Sequence, residues 1–193
     1  MGVLEYASQH DGIVTTAQVE EAGFARARLS EAVACGSLVR VARGVYCQAE
    51  AWEDEYLVAC LRFPKGVLSH GTALFLHELT DRTPERVTMT FPRSHNASSA
   101  RGAGVLVRTC ARGLVELGLS EVRTPSGNVV RCYDAERSLC DMLRGTSAVD
   151  VQVLDPAMRS YLSSGVRDIP KLLGYAQELG VDRKVRSYVE VLL

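Results

Sequence analysis

The 193-residue sequence has no excess of either charge, since 22 Lys and Arg stand against 23 Asp and Glu and leave a net −1. A globally basic surface of the kind that signals nucleic-acid binding is therefore missing, and any such site has to be local. Long hydrophobic runs are missing as well. Tyr56–Leu61 and Ala73–Leu76 fall far short of the roughly 18 apolar residues that cross a bilayer. Met1–His10 has neither a basic start nor a long apolar stretch, so the chain reads as cytoplasmic with no membrane partner. Cys35, Cys47, Cys60, Cys110, Cys132 and Cys140 include no CxxC pair, which removes support for metal and redox motifs. Most have apolar neighbours and read as reduced, buried thiols. No GxSxG, P-loop, GxGxxG, HExxH or DxDxDG pattern occurs, so hydrolase, phosphate-loop, nicotinamide and calcium chemistry lack support and no cofactor or metal is expected. What is present, 47% hydrophobic and 23% charged residues, is ordinary for a folded soluble chain.

The first fifty residues read as a small module. Leu4 and Ala7 give a short amphipathic helix that stops at the His10-Asp11-Gly12 turn, and Ile13-Val14 suits a brief strand. Thr15 stands three residues before Gln18, the capping-box spacing, so a second helix starts there and ends at Gly23. From Ala25 to Gly36, Leu29, Ala32 and Val33 form one apolar stripe with a glycine stop. Two short helices joined through Gly23 make a helix-turn-helix. Leu38–Cys47 alternates around Arg43-Gly44, a β-hairpin in which Gly44 takes positive φ. The pattern is a winged helix-turn-helix over residues 1–50. All four arginines in that stretch, Arg26, Arg28, Arg40 and Arg43, fall on the recognition helix and the wing, although six acids are also present. Arg26 and Arg28 open the helix whose first turn meets base edges, and a wing arginine suits phosphate or the minor groove. Thr16 and Ala25 join them as candidate DNA contacts.

Residues 51–193 read as a mixed α/β domain, which makes the whole chain α+β. Ala51–Phe63 is expected to be helical, with Trp52, Tyr56, Ala59, Cys60 and Phe63 on one seam, and a second helix runs from about Gly71 to Leu79. Arg86–Pro92, Val105–Arg108 and Asn128–Cys132 are strand candidates, Asn96–Gly104 is a loop, and the last third returns to helices. His70, His77 and Asp81 are a weak metal signal, better read as core or interface histidines. Asp134, Arg137 and Asp141 lie at i, i+3 and i+7 on one helix face, where they form an ion-pair ladder or a contact surface for a partner, and Asp134 also suits a helix cap. Arg82–Arg144 holds ten arginines and six acids, a local excess that permits an anionic partner.

Several segments in this order resemble the AbiEi family, the antitoxin regulators of AbiE-type toxin-antitoxin systems. They are Gly12–Ala17, Gly36–Tyr46, Ser69–Leu74, Leu79-Thr80-Asp81, Thr90-Phe91-Pro92 and Val130–Asp141. The resemblance implies an N-terminal domain that represses its own operon by binding repeats in promoter DNA. It also implies a C-terminal domain that neutralises a nucleotidyltransferase toxin without a stable complex, in abortive phage defence, with Asp134, Arg137 and Asp141 as its candidate antitoxin surface. The chain is then a binding protein and not an enzyme. The alternatives are a stand-alone winged-helix regulator, a scaffold that dimerises through the winged helix, and a nuclease, for which Asp182-Arg183-Lys184 is the one DxK fragment and Asp155-Pro156 reads better as a helix-start cap.

Overall fold

The computed structural model describes residues 2–48, 54–144 and 151–192. The chain divides into two compact units, Met1–Pro64 with Arg123–Val130, and Lys65–Val122 with Arg131–Leu193. Both mix helices and strands.

The first unit contains α1 (Val3–Ser8), β1 (Ile13–Thr15), α2 (Thr16–Glu21), α3 (Ala27–Ala34), β2 (Val39–Ala42), β3 (Val45–Cys47) and α4 (Glu55–Arg62). Its antiparallel sheet has the order β1-β3-β2, with Val14 opposite Tyr46 and Ile13 opposite Cys47. Successive side chains leave opposite faces of a strand, so these pairs point to different sides. Val14 and Tyr46 pack with Val3, Ala7, Val19, Leu29 and Leu38 beneath the three helices. Ile13, Val45 and Cys47 pack with Leu57, Val58 and Leu61 of α4. A sheet covered on both faces needs strands that are apolar at every position, which Val45-Tyr46-Cys47 are. For that reason the first unit runs on past residue 50 to Pro64, instead of ending with the wing. The helix expected over Ala51–Phe63 begins at Glu55; Trp52 lies outside the described residues.

Asp54, only 3% exposed, caps α4 by accepting hydrogen bonds from the Tyr56 and Leu57 amides at 3.1 and 3.0 Å. Its other oxygen accepts from the Thr124 hydroxyl at 2.6 Å and the Asn128 amide at 2.7 Å. One carboxylate thus ties the Arg123–Val130 turn to the start of α4.

In the second unit β4 (Val67–Leu68), β5 (Thr88–Pro92), β6 (Leu106–Cys110), β7 (Leu119–Arg123) and β8 (Val129–Tyr133) form one sheet in the order β6-β5-β4-β8-β7. The last residues of β7 and the first of β8 run into the turn of the first unit. β4 pairs antiparallel with β5 and parallel with β8, and β5 pairs parallel with β6. The crossover from β5 to β6 carries a short helix, α6 (Ser98–Gly102), where a loop was expected; Ala97 and Ala100 are buried and give it an apolar side. α5 (His70–Leu76), α7 (Ala135–Leu143), α8 (Val151–Ser163), α9 (Ile169–Glu178) and α10 (Asp182–Leu192) complete the unit around Leu74, Leu139, Leu154, Met158, Leu172 and Val185. Pro156 lies inside α8 and not at its start, so Asp155 is no cap; it accepts a hydrogen bond from the Tyr188 hydroxyl. Among the described residues no helix is long and apolar enough to cross a membrane.

Candidate nucleic-acid interface

The approach to α3 is positioned by local chemistry. Thr15 Oγ1 accepts from the Gln18 amide at 3.1 Å while Gln18 Oε1 accepts from the Thr15 amide at 2.7 Å, the capping box read in the sequence. Such reciprocal caps satisfy amides that have no partner inside the helix. Gly23 (φ +84) then turns the chain, and the Phe24 amide bonds back to the Val19 carbonyl at 3.0 Å. Leu29 and Ala32 point into the core, so the opposite face of α3, with Ala27, Arg28, Ser30, Glu31 and Ala34, is open to solvent.

Arg26 occupies the N-cap of α3 and Arg28 its first turn, and both are exposed; Ala25 is exposed just ahead of them. Arg28 Nη1 lies 3.0 Å from Glu31 Oε2, with the two side chains 67% and 62% exposed. An ion pair that open to water is worth little, so it leaves the guanidinium available. In the wing, β2 and β3 are joined through Arg43 and Gly44, with a register shift between Arg40 and Ala42. Gly44 has φ +76, the left-handed conformation that glycine adopts without steric cost. Arg40 and Arg43 are exposed on this hairpin.

Thr16 has a different place from the expected DNA contact. Its amide donates to the Gly44 carbonyl at 2.9 Å, pinning the wing turn to the first residue of α2. Its hydroxyl is enclosed and without a hydrogen-bond partner, 3.6 Å from where a Cβ on residue 44 would sit. The Thr16 hydroxyl therefore faces the wing and is not presented to a phosphate.

The expected partner surface at Asp134, Arg137 and Asp141 is corrected by burial. Arg137 is fully buried. Its Nε lies 3.0 Å from Asp141 Oδ2, and its Nη1 donates to the carbonyls of Leu114 and Leu117 at 2.7 and 2.8 Å. The guanidinium lies over the Tyr133 ring, 4.2 Å from its centre. Burial pushes the Asp141 carboxyl above its ordinary value, and the Arg137 charge only partly offsets this. Asp134 caps α7 by accepting from the Arg137 amide at 2.8 Å, and Lys171 bridges Asp134 and Glu136 at 3.1 and 2.9 Å. Gly118 (φ +71) lets the chain pass so close that an added Cβ would lie 2.5 Å from Arg137 Cβ. The ladder is an internal clamp on the Leu114–Gly118 segment, and Arg137 and Asp141 present no surface to a partner.

The other sequence candidates do not converge. His77 Nε2 meets the Tyr133 carbonyl at 2.8 Å, whereas His70 Nδ1 meets Ser69 Oγ at 3.1 Å. No group of three metal-binding side chains occurs among the described residues. Asp182 pairs with Arg186 at 3.0 Å and Lys184 Nζ donates to the Leu143 carbonyl at 2.8 Å, so the DxK fragment does not gather into a site.

Residues 3–48 match the family described as transcriptional regulator, AbiEi antitoxin. Among solved structures, the RV2827C protein from Mycobacterium tuberculosis is similar at 16% identity, with a TM-score of 0.54 over 97% of this chain and 79% of that one. At that identity the likeness is one of fold. A comparison with curated proteins gives no match. The family match is thus confined to the winged-helix module.

Proposed function

We propose that this chain is a cytoplasmic DNA-binding repressor that sets α3 in the major groove and the wing against the adjacent backbone. The observation that carries the reading is the placement of the module's arginines. The apolar residues of α1, α2 and α3 turn inward, and Arg26, Arg28, Arg40 and Arg43 are exposed at the start of α3 and on the wing. Arg26 and Arg28 are at base edges, Arg40 and Arg43 hold phosphate or the minor groove, Ala25 lies against the DNA, and Thr16 positions the wing. The operator is double-stranded DNA with inverted repeats in the promoter of the chain's own operon. The second unit supplies antitoxin activity against a nucleotidyltransferase without a stable complex.

The test is operator affinity of the Arg26→Ala/Arg28→Ala variant against the chain's own upstream DNA. A bidentate base contact contributes about 1–3 kcal/mol, so the double variant should bind at least tenfold more weakly. Unchanged affinity at moderate salt would remove both residues from the interface. A second reading, a regulator with no toxin partner, is favoured by the confinement of the family match to residues 3–48. Growth after co-expression with the nucleotidyltransferase of the same operon separates the two: rescue by the full chain supports the antitoxin role, and its failure leaves the repressor alone.

A further inference from the structure

One group in the second unit is used by none of the roles above. His70 is the first residue of α5, yet it has φ +53. Among the described residues the other non-glycine residues at positive φ, Asp11 and Glu78, follow helix ends, where a left-handed residue terminates the helix. A non-glycine residue in this conformation is uncommon, though histidine adopts it more readily than most, and backbone held this way concentrates at functional sites. The imidazole is oriented from beneath. Thr90 Oγ1 donates to Ser69 Oγ at 2.8 Å, and Ser69 Oγ lies 3.1 Å from His70 Nδ1. Both hydroxyl residues are buried. Ser69 Oγ accepts from Thr90 and keeps a proton of its own that it can give to Nδ1; in that tautomer the ring hydrogen sits on Nε2 as a donor.

Two guanidiniums accompany that donor. Arg108 lies in register with Thr90 on the neighbouring strand, so its side chain leaves the same face of the sheet. The other is Arg144, the C-cap of α7. α5 and α7 pack antiparallel: His77, at the end of α5, meets the Tyr133 carbonyl ahead of α7, so the His70 end of α5 lies toward Arg144. Arg108 and Arg144 are exposed. We infer that His70, Arg108 and Arg144 form a binding site for a phosphate group, with two guanidinium forks and the Nε2 hydrogen as its donors. Burial, with the charges of Arg108, Arg137 and Arg144 added to it, pushes the imidazolium down to about 3. The ring is therefore neutral at physiological pH, as the tautomer requires. Of the three arginines, Arg137 is already paired with Asp141. A tetrahedral oxyanion with several acceptor oxygens fits the remaining donors, because guanidinium forks bond such groups bidentately.

The site stands independently of the DNA-binding reading, and the full chain tests it. The probe is inorganic phosphate, titrated at constant ionic strength against chloride while the imidazole nitrogen and Hε1 resonances are followed by NMR. His70→Asn, which tolerates positive φ, assigns the signal. The expected result is a saturable His70 shift, weakened at least tenfold in Arg108→Gln/Arg144→Gln. Both substituted residues are at the surface, and a thermal melt checks that the double variant is folded; Arg108→Gln alone serves if it is not. No saturable shift up to 10 mM phosphate, or equal affinity in the folded variant, overturns the inference. Adenosine monophosphate and a short DNA duplex form two further arms. A shift with the mononucleotide at lower concentration than with the duplex assigns the site to free nucleotide phosphate, and the reverse order assigns it to the nucleic-acid backbone.

Discussion

Replacing Arg137 by Met keeps most of the side-chain volume and deletes the charge, so it isolates the electrostatic part of the clamp. Four interactions go at once: the ion pair to Asp141 at 3.0 Å, the bonds to the Leu114 and Leu117 carbonyls at 2.7 and 2.8 Å, and the cation over Tyr133 at 4.2 Å. Removing one partner of a buried ion pair costs about 3–5 kcal/mol, chiefly because the other charge stays buried. Asp141 is 4% exposed and meets that condition. With a urea slope of about 1–3 kcal/mol per molar, the midpoint for the second unit should fall by more than about 1 M. Burial already raises the Asp141 carboxyl, and Arg137 opposes the rise; the variant therefore lifts it further above its unfolded value. Stability contributed by a carboxyl raised in this way is present at low pH and lost as pH rises through the folded value. The deficit of Arg137→Met should accordingly be smaller at pH 5 than at pH 8. A midpoint within about 0.3 M of the parent, with loss of protection against the toxin alone, would refute the internal clamp and restore Arg137 as a contact residue.

Arg43→Ala should weaken binding to all duplexes alike and reduce the slope of log affinity against log salt by about 0.9, one phosphate contact; a loss confined to one base position would show that the wing reads sequence. Asp54→Ala removes a helix cap and leaves the Thr124 and Asn128 donors without their acceptor, so we expect a loss of about 2–4 kcal/mol in chemical denaturation, and a loss under 1 kcal/mol would contradict the latch. His70 binds its proton more weakly folded than unfolded, which means that its contribution to stability is complete above pH 6.5 and is lost as pH falls toward 3; His70→Asn should flatten the melting-temperature profile across that window, and an unaltered profile would contradict the depressed imidazolium. Hydrogen bonding from Ser37 lowers the exposed Cys35 thiol while burial raises Cys140 to about 12, so iodoacetamide should modify Cys35 before Cys140 in the native protein, as peptide mass mapping will read.

Signals that act within a few residues were legible in the sequence. The Thr15/Gln18 box, the Gly23 and Gly44 turns, the Asp134 cap and the strand ending at Pro92 all depend on near neighbours. What was not legible depends on distant partners. Asp54 gives no sign of Thr124 and Asn128, seventy and more positions away. Arg137 at its helical spacing is the same whether its face meets water or the carbonyls of Leu114 and Leu117, and only the fold decides. β4 spans two residues, too short for any alternation to register. The continuous apolar stretch Val45-Tyr46-Cys47 did carry the information that the wing sheet is covered on both faces, and hence that α4 belongs with it.

The order in which the first unit is assembled along the chain has a consequence for its synthesis. The winged-helix core from Val3 to Tyr46 is complete once that stretch has left the ribosome, and α4 follows within about twenty residues. The Arg123–Val130 turn emerges only after the first three strands of the other sheet have been made. Until then the inner oxygen of Asp54 has water where Thr124 and Asn128 will be. The nascent chain thus holds a helix-turn-helix before it holds a finished first unit, and a messenger truncated before codon 123 releases the former without the latter. Moving the winged-helix module onto another protein requires carrying α4 and closing Asp54 with a new pair of donors.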